Sequence, residues 1–318
     1  MDEHRPPHPL AGVWAAALTP LGDSLAPDRE RVLAHARWLL ANGCDGVLLL
    51  GTTGEANSLS VEARRALIDA TSALPPERLM IGIGSSALDD AVALGQEALG
   101  AGCPNLLALP PFYYKTPSED GLFAFFAELV ARLADPRLRL YLYQIPKMSG
   151  VALTPSLIRR LITAFPGTLA GIKDSSGDWV GTAHLIAEFP VLTVFSGTER
   201  HLLDNLRAGG PGCISAAANV AAPAIQRLYQ AWRTPEAARL LEPAVAARAA
   251  MEGLPMIPAM KALLRRKTGD RAWCNLVPPF LPLTAEEERA LVARLDVAHF
   301  FESVPEMRPA ASGPPIAG

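Results

Sequence analysis

From Val13 to about residue 231 the chain alternates short β-like runs with longer helical stretches, and this alternation restricts the possible folds more than any other feature. Apolar runs at residues 13–18, 46–50, 79–83, 105–109, 138–143, 169–172, 191–195 and 212–215 give eight candidate strands. The Ala- and Leu-rich segments between them have helical periodicity, and several open on a capping residue: Ser60, Ser118, and Thr154 followed by Pro155. Such a pattern is that of βα units on a parallel sheet. Eight strands and eight helices in ~220 residues predict an α/β fold, a closed (β/α)8 TIM barrel, with an open doubly wound sheet as the alternative. After Trp232 the pattern turns purely helical, near residues 235–251, 257–267 and 285–297, with Pro-rich joints. The expected organisation is a barrel over residues 10–232 and a C-terminal all-helical extension over 233–302. The ends, 1–9 and 303–318, are rich in Pro, Ala and Gly and are expected to be disordered tails.

The 318 residues are half hydrophobic and 19% charged, enough to bury a large core without metal or disulfide staples. A net charge of −3, with 29 Lys and Arg scattered along the chain, leaves no electrostatic footprint for nucleic acid or an anionic membrane. A small diffusible partner fits better. No run approaches the ~20 apolar residues of a membrane span, and residues 1–9 lack the apolar segment of a signal peptide, so a cytoplasmic protein is expected. Cys44, Cys103, Cys213 and Cys274 are widely spaced, with no CxxC pair, and read as buried thiols in a reducing compartment. His4 and His8 lie in the tail; His35, His184, His201 and His299 have no HExxH or HxH spacing and read as surface or packing residues, so no metal is expected.

Lys173 ends the apolar run Leu169-Ala170-Gly171-Ile172 and precedes the polar turn Asp174-Ser175-Ser176-Gly177-Asp178. A buried ammonium on such a strand must be paired or lose its proton. Burial pushes a lysine toward the neutral amine, which can form a Schiff base with a carbonyl substrate. The competing structural reading is a lysine that snorkels from a strand end into water. Asp174, next in sequence, should point to the opposite face and serve as a loop or cap residue. Tyr143 terminates the fifth candidate strand, where its phenol can sit beside the sixth-strand amine and shuttle a proton, or merely pack its ring. Gly51-Thr52-Thr53-Gly54-Glu55 follows the second strand, and its glycines let backbone N–H groups and hydroxyls converge on one small anion, a carboxylate by preference. A capped tight turn is the structural alternative there. Pro110-Pro111-Phe112-Tyr113-Tyr114-Lys115 follows the fourth strand and suits a subunit interface or a substrate lid. Ile81-Gly82-Ile83-Gly84-Ser85-Ser86-Ala87 imitates a dinucleotide fingerprint, but the acidic residue due about 20 positions on is missing, so no nicotinamide cofactor is expected.

Four motifs in order, Gly51-Thr-Thr-Gly-Glu55, Tyr143-Gln-Ile-Pro146, Gly171-Ile-Lys-Asp174 and Gly212-Cys-Ile-Ser-Ala-Ala-Ala-Asn-Val220, resemble the dihydrodipicolinate synthase and N-acetylneuraminate lyase family over about residues 10–300. The resemblance implies a (β/α)8 barrel with a C-terminal helical domain, commonly a homotetramer, acting without metal or cofactor on pyruvate or a related 2-oxo acid. It implies Lys173 as the Schiff-base lysine, Tyr143 as the proton-transferring phenol, and Thr52 and Thr53 as binders of the 2-oxo acid carboxylate. Tyr114 resembles the tyrosine that enters a neighbouring subunit's site, with Tyr113 open as the alternative, and Ile214 resembles a backbone contact near the pyruvate pocket.

Two departures bear on specificity. Where the synthase branch carries an arginine that clamps the partner substrate's carboxylate, this chain has Met148, and a thioether cannot replace that charge-assisted pair. Gln144 replaces the more usual asparagine, and Lys147 stands one position before Met148. The expectation is an aldolase or dehydratase of a 2-keto-3-deoxy sugar acid or a hydroxy-2-oxo acid. Dihydrodipicolinate synthase proper, a non-catalytic 2-oxo acid binding protein and a nicotinamide oxidoreductase are the alternatives.

Overall fold

The computed structural model describes residue 8 and residues 10–295. Eight parallel strands close into a barrel in sequence order: β1 Gly12–Ala16, β2 Gly46–Leu49, β3 Leu79–Gly82, β4 Asn105–Ala108, β5 Arg139–Gln144, β6 Leu169–Asp174, β7 Thr193–Ser196 and β8 Gly212–Ser215. The helices are α1 Arg29–Ala41, α2 Val61–Ala70, α3 Leu88–Gly100, α4 Glu119–Leu133, the short α5 Pro146–Ser149, α6 Pro155–Ala164, α7 Trp179–Glu188, α8 Leu202–Arg207, α9 Ala218–Ala231, α10 Ala237–Ala250, α11 Met256–Thr268 and α12 Ala285–Arg294. β8 pairs with β1, which excludes the open sheet. The caps expected at Ser60, Ser118 and Thr154 accept from the backbone N–H groups of Ala63, Gly121 and Leu157. Each thereby satisfies a donor that the first helical turn leaves without an intrahelical partner.

The barrel interior is packed solid below its C-terminal mouth, with Trp14, Leu48, Met80, Leu107, Tyr141, Phe195 and Ile214 in one buried cluster. Large rings fit because the neighbouring strand offers glycine. Trp14 pairs with Gly46, where a Cβ would fall 2.5 Å from the indole, and Tyr141 pairs with Gly171, where one would fall 2.7 Å from the phenol ring. Gly82 is explained similarly: a Cβ there would lie 2.2 Å from the Leu50 carbonyl oxygen, so this glycine serves strand packing.

Asn219, fully buried on α9, helps close the barrel, accepting from the Leu18 N–H at 2.9 Å and donating to the Ala16 carbonyl at 2.7 Å. The Asn219 Oδ1 also meets His35 Nε2 at 2.8 Å, and the His35 ring lies edge-on to Trp273, so this histidine is a packing residue. Burial lowers its pKa to about 4.

Three features differ from expectation. β6 continues two residues past the apolar run, so Lys173 and Asp174 belong to the strand. Asp174 is therefore not a loop residue: it is 5% exposed, and its carboxylate accepts from the Ser176 N–H and the Thr182 hydroxyl, both at 2.8 Å, holding the start of α7. His8 does not behave as part of a free tail, because its carbonyl accepts from the Ala11 N–H and its ring meets Thr193. The rest of the 1–9 segment, the 303–318 segment and His299 lie outside the described residues.

The C-terminal helices cover part of the barrel mouth. α10 packs along α9, while α11 sends Lys261 into the protein to meet Glu55 at 2.5 Å. Glu55 also accepts from the Val277 N–H, and Asn275 donates to the Leu21 carbonyl, so one seam ties the extension to the loops after β1 and β2. Among the described residues no helix is long and apolar enough to cross a membrane.

Candidate active site

The mouth at the C-terminal ends of the strands is where a barrel of this kind carries its chemistry. A cleft of about 580 Å³ opens there, with Thr52, Thr53, Tyr143 and Lys173 in its lining. A second hollow, of about 460 Å³, lies at the opposite end beside Arg139 and Tyr141, away from the Lys173 amine.

Lys173 is 2% exposed and reaches the cleft from β6. Parallel pairing sets it level with Tyr143 on β5 and Phe195 on β7, all three directed into the barrel. Its Nζ donates to the Tyr143 hydroxyl at 3.2 Å and lies 4.3 Å from the ring centroid. Among the described residues no carboxylate forms an ion pair with this amine, and adjacent Asp174 spends both oxygens elsewhere. The snorkelling alternative fails, since the side chain is buried at the head of the packed interior.

Tyr143 is the junction of the site. Thr52 Oγ1 donates to its hydroxyl at 3.5 Å, a long bond, and Ser175 adds a further hydrogen bond. Burial pushes the phenol pKa up, but the Lys173 charge and the bonds from Thr52, Lys173 and Ser175 outweigh it, leaving the phenol below its ordinary range. A phenol so placed exchanges a proton more readily near neutral pH than a free tyrosine.

The Gly51–Glu55 turn is held hard. Leu50 and Glu55, which bracket it, both have φ of 57°, a left-handed conformation that side chains other than glycine rarely adopt. Glu55 stays there because Lys261 and Val277 lock its carboxylate. Inside the turn the N–H groups of Gly54, Glu55 and Ala56 bond back to Gly51 and Thr52 carbonyls. Among the described residues the Thr52 and Thr53 N–H groups make no such bond, and both residues line the cleft.

Thr52, Thr53, Tyr143 and Lys173 are thus brought together. The Ile214 side chain is fully buried in the packed interior beside Trp14, so the contact expected of this residue falls to its backbone, and Ala216 lines the cleft wall just beyond β8. Tyr113 and Tyr114 stand 74% and 75% exposed, edge to face with each other, and neither lines the cleft of its own chain. Gln144 accepts from the Leu153 N–H, whereas Lys147 and Met148 both border the cleft.

Several lining residues were not expected from sequence. Ser175 follows Lys173 by two positions, and strand alternation alone would have put the two on one face. Arg248, Met256, Ile257 and Phe280 come from the helical extension, and Arg200 and His201 from the turn after β7. No local pattern marks these, because long-range docking brings them in.

The dihydrodipicolinate synthetase family model matches residues 9–298. An uncharacterized DapA-like lyase of Chloroflexus aurantiacus is 36% identical over 286 residues, covering 89% of this chain and 95% of that protein. Among solved structures, dihydrodipicolinate synthase from Agrobacterium tumefaciens superposes with a TM-score of 0.79 at 33% identity, covering 92% of this chain and 99% of that one. YagE, a prophage protein of the same family from E. coli K12 solved in complex with pyruvate, superposes with a TM-score of 0.78 at 25% identity, covering 89% and 96%. The chain belongs to the dihydrodipicolinate synthetase family, and is a lyase of the class I aldolase type.

Proposed function

We propose that Lys173 forms a Schiff base with a 2-oxo acid and that the enzyme cleaves, or in reverse forms, the bond between C3 and C4 of a 2-keto-3-deoxy sugar acid or another 4-hydroxy-2-oxo acid. The observation that carries this reading is the Lys173 amine at 3.2 Å from the Tyr143 phenol, buried and free of any carboxylate partner among the described residues. The amine adds to the C2 carbonyl, water leaves, and the resulting iminium draws electrons from the adjacent carbons. Tyr143 as phenolate takes the proton of the C4 hydroxyl, the C3–C4 bond breaks, and its electron pair is held as an enamine while the aldehyde departs. Protonation at C3 and hydrolysis of the imine return pyruvate and the free amine. The Thr52 and Thr53 N–H groups hold the substrate carboxylate. Dehydration of the same class of acid would begin at the same imine and break a C–O bond instead.

Met148, 62% exposed on the rim where the synthase branch carries its arginine, argues against condensation with aspartate semialdehyde. The exposed Tyr113 and Tyr114 pair supports a homo-oligomer, by family habit a tetramer, in which Tyr114 enters a neighbour's site. A steady-state panel tests the reading. Pyruvate release from 4-hydroxy-2-oxo acids should exceed condensation of pyruvate with aspartate semialdehyde in kcat/KM; the opposite order would overturn it.

A further inference from the structure

Three basic side chains besides the Lys173 amine line the cleft, Lys147, Arg200 and Arg248, and no Asp or Glu does. They are not evenly spread. Thr52 and Thr53 lie beyond β2, whereas Lys147 follows β5, Arg200 follows β7, and Arg248 reaches from α10 to the ends of β7 and β8. The positive charge therefore occupies the arc from β5 to β8, across the barrel from the turn that takes the reacting carboxylate.

Arg248 is built into place. Its Nε and Nη2 donate to the two oxygens of Glu199 at 2.5 and 2.9 Å. Glu199 is fully buried and also receives the Ser215 hydroxyl, so it stands behind the guanidinium and does not face the cleft. Among the described residues Nη1 meets only the Met256 sulfur, at 3.7 Å, and keeps its donors for a ligand. Arg200 pairs with Glu252, which is 61% exposed; a solvated pair of that kind holds weakly and yields to a better anion. Lys147 makes no ion pair among the described residues. A ligand tail of neutral hydroxyls would find cations, which donate and cannot accept, and no carboxylate to receive its protons.

We propose that the substrate is a 2-oxo acid bearing a second anionic group, a carboxylate or a phosphate ester, at its far end, and that Lys147, Arg200 and the Glu199-held Arg248 recognise that group. This rests on the reading of Lys173 as the Schiff-base lysine.

The test uses three 4-hydroxy-2-oxo acids of one chain length, ending in a primary alcohol, a carboxylate or a phosphate ester. Each competes with isotopically labelled pyruvate for borohydride trapping at an early quench, and the adducts are weighed by intact-mass analysis, so that the intact acid and the unlabelled pyruvate adduct left by its cleavage are both told apart from the labelled competitor. The acids with a charged end should outcompete the alcohol by about tenfold or more, and added salt should narrow the gap. The double variant Lys147→Met, Arg200→Gln should reduce the preference to within about twofold. Equal competition by all three acids, or a preference for the alcohol, would overturn the proposal while leaving the Schiff base standing. Absence of any adduct, pyruvate included, would remove the Lys173 reading and this inference with it.

Discussion

The protein buries two lysines, and their surroundings differ in the one respect that matters for chemistry. Lys261, 1% exposed in the seam between α11 and the barrel, meets the Glu55 carboxylate at 2.5 Å and the Asn275 carbonyl at 2.8 Å. Desolvation lowers its pKa, and Glu55 pulls it part of the way back. Lys173, equally hidden at the mouth, meets a phenol and an aromatic face and opens on a cleft. A carboxylate partner would hold the proton on the amine and quench its nucleophilicity. Burial therefore does not by itself mark a catalytic lysine; the choice of partner does. The two regions are also joined, since Lys261 fixes Glu55, and Glu55 ends the turn that presents Thr52 and Thr53.

The comparison can be broken most directly at the amines. Lys173→Ala should abolish borohydride trapping of pyruvate and turnover together, with the thermal midpoint little changed; trapping that persists would mean another amine reacts. Lys261→Met should instead cost stability, about 3–5 kcal/mol in urea unfolding, because it strands the Glu55 charge in the interior. Adding Glu55→Gln should restore part of that loss, and a variant as stable as the parent would show the pair to be dispensable. Tyr143→Phe sharpens the catalytic side: turnover should fall about a hundredfold, with a smaller effect on imine formation, as single-turnover trapping can separate.

The smallest effect concerns acid stability. His35 has a folded pKa of about 4 against 6.5 for the free side chain, so between those values the unfolded chain binds the proton and the folded one does not. Its contribution is intact above pH 6.5 and is lost as pH falls toward 4, by about 2 kcal/mol at pH 5. His35→Gln should flatten that slope in urea melts across the window; an unchanged slope would assign it to other groups.

Much of the scaffold could be read before the structure, and the limits are instructive. Eight apolar runs marked eight strands because a strand buried on both faces has no polar alternation to hide it. The capping hydroxyls of Ser60, Ser118 and Thr154 were equally legible, since the hydrogen bond spans only three residues. The end of β6 was not, because Asp174 looks like the start of a turn until the Thr182 hydroxyl, eight positions on, is seen to hold the buried aspartate. The approach of Tyr143 to Lys173 was legible once both were placed at the ends of consecutive strands, and barrel register brings them level. Arg248 in an alanine-rich helix and Lys261 in a basic one carry no local signal of burial. Their partners, Glu199 and Glu55, lie 49 and 206 residues away.

One experiment bears on the whole account. The intact chain is incubated with pyruvate, reduced with borohydride, weighed and then mapped by peptide mass. The account predicts one adduct per chain, on the peptide carrying Lys173, with Lys261 unmodified. No adduct, or an adduct placed on Lys261 or a surface lysine, would contradict it.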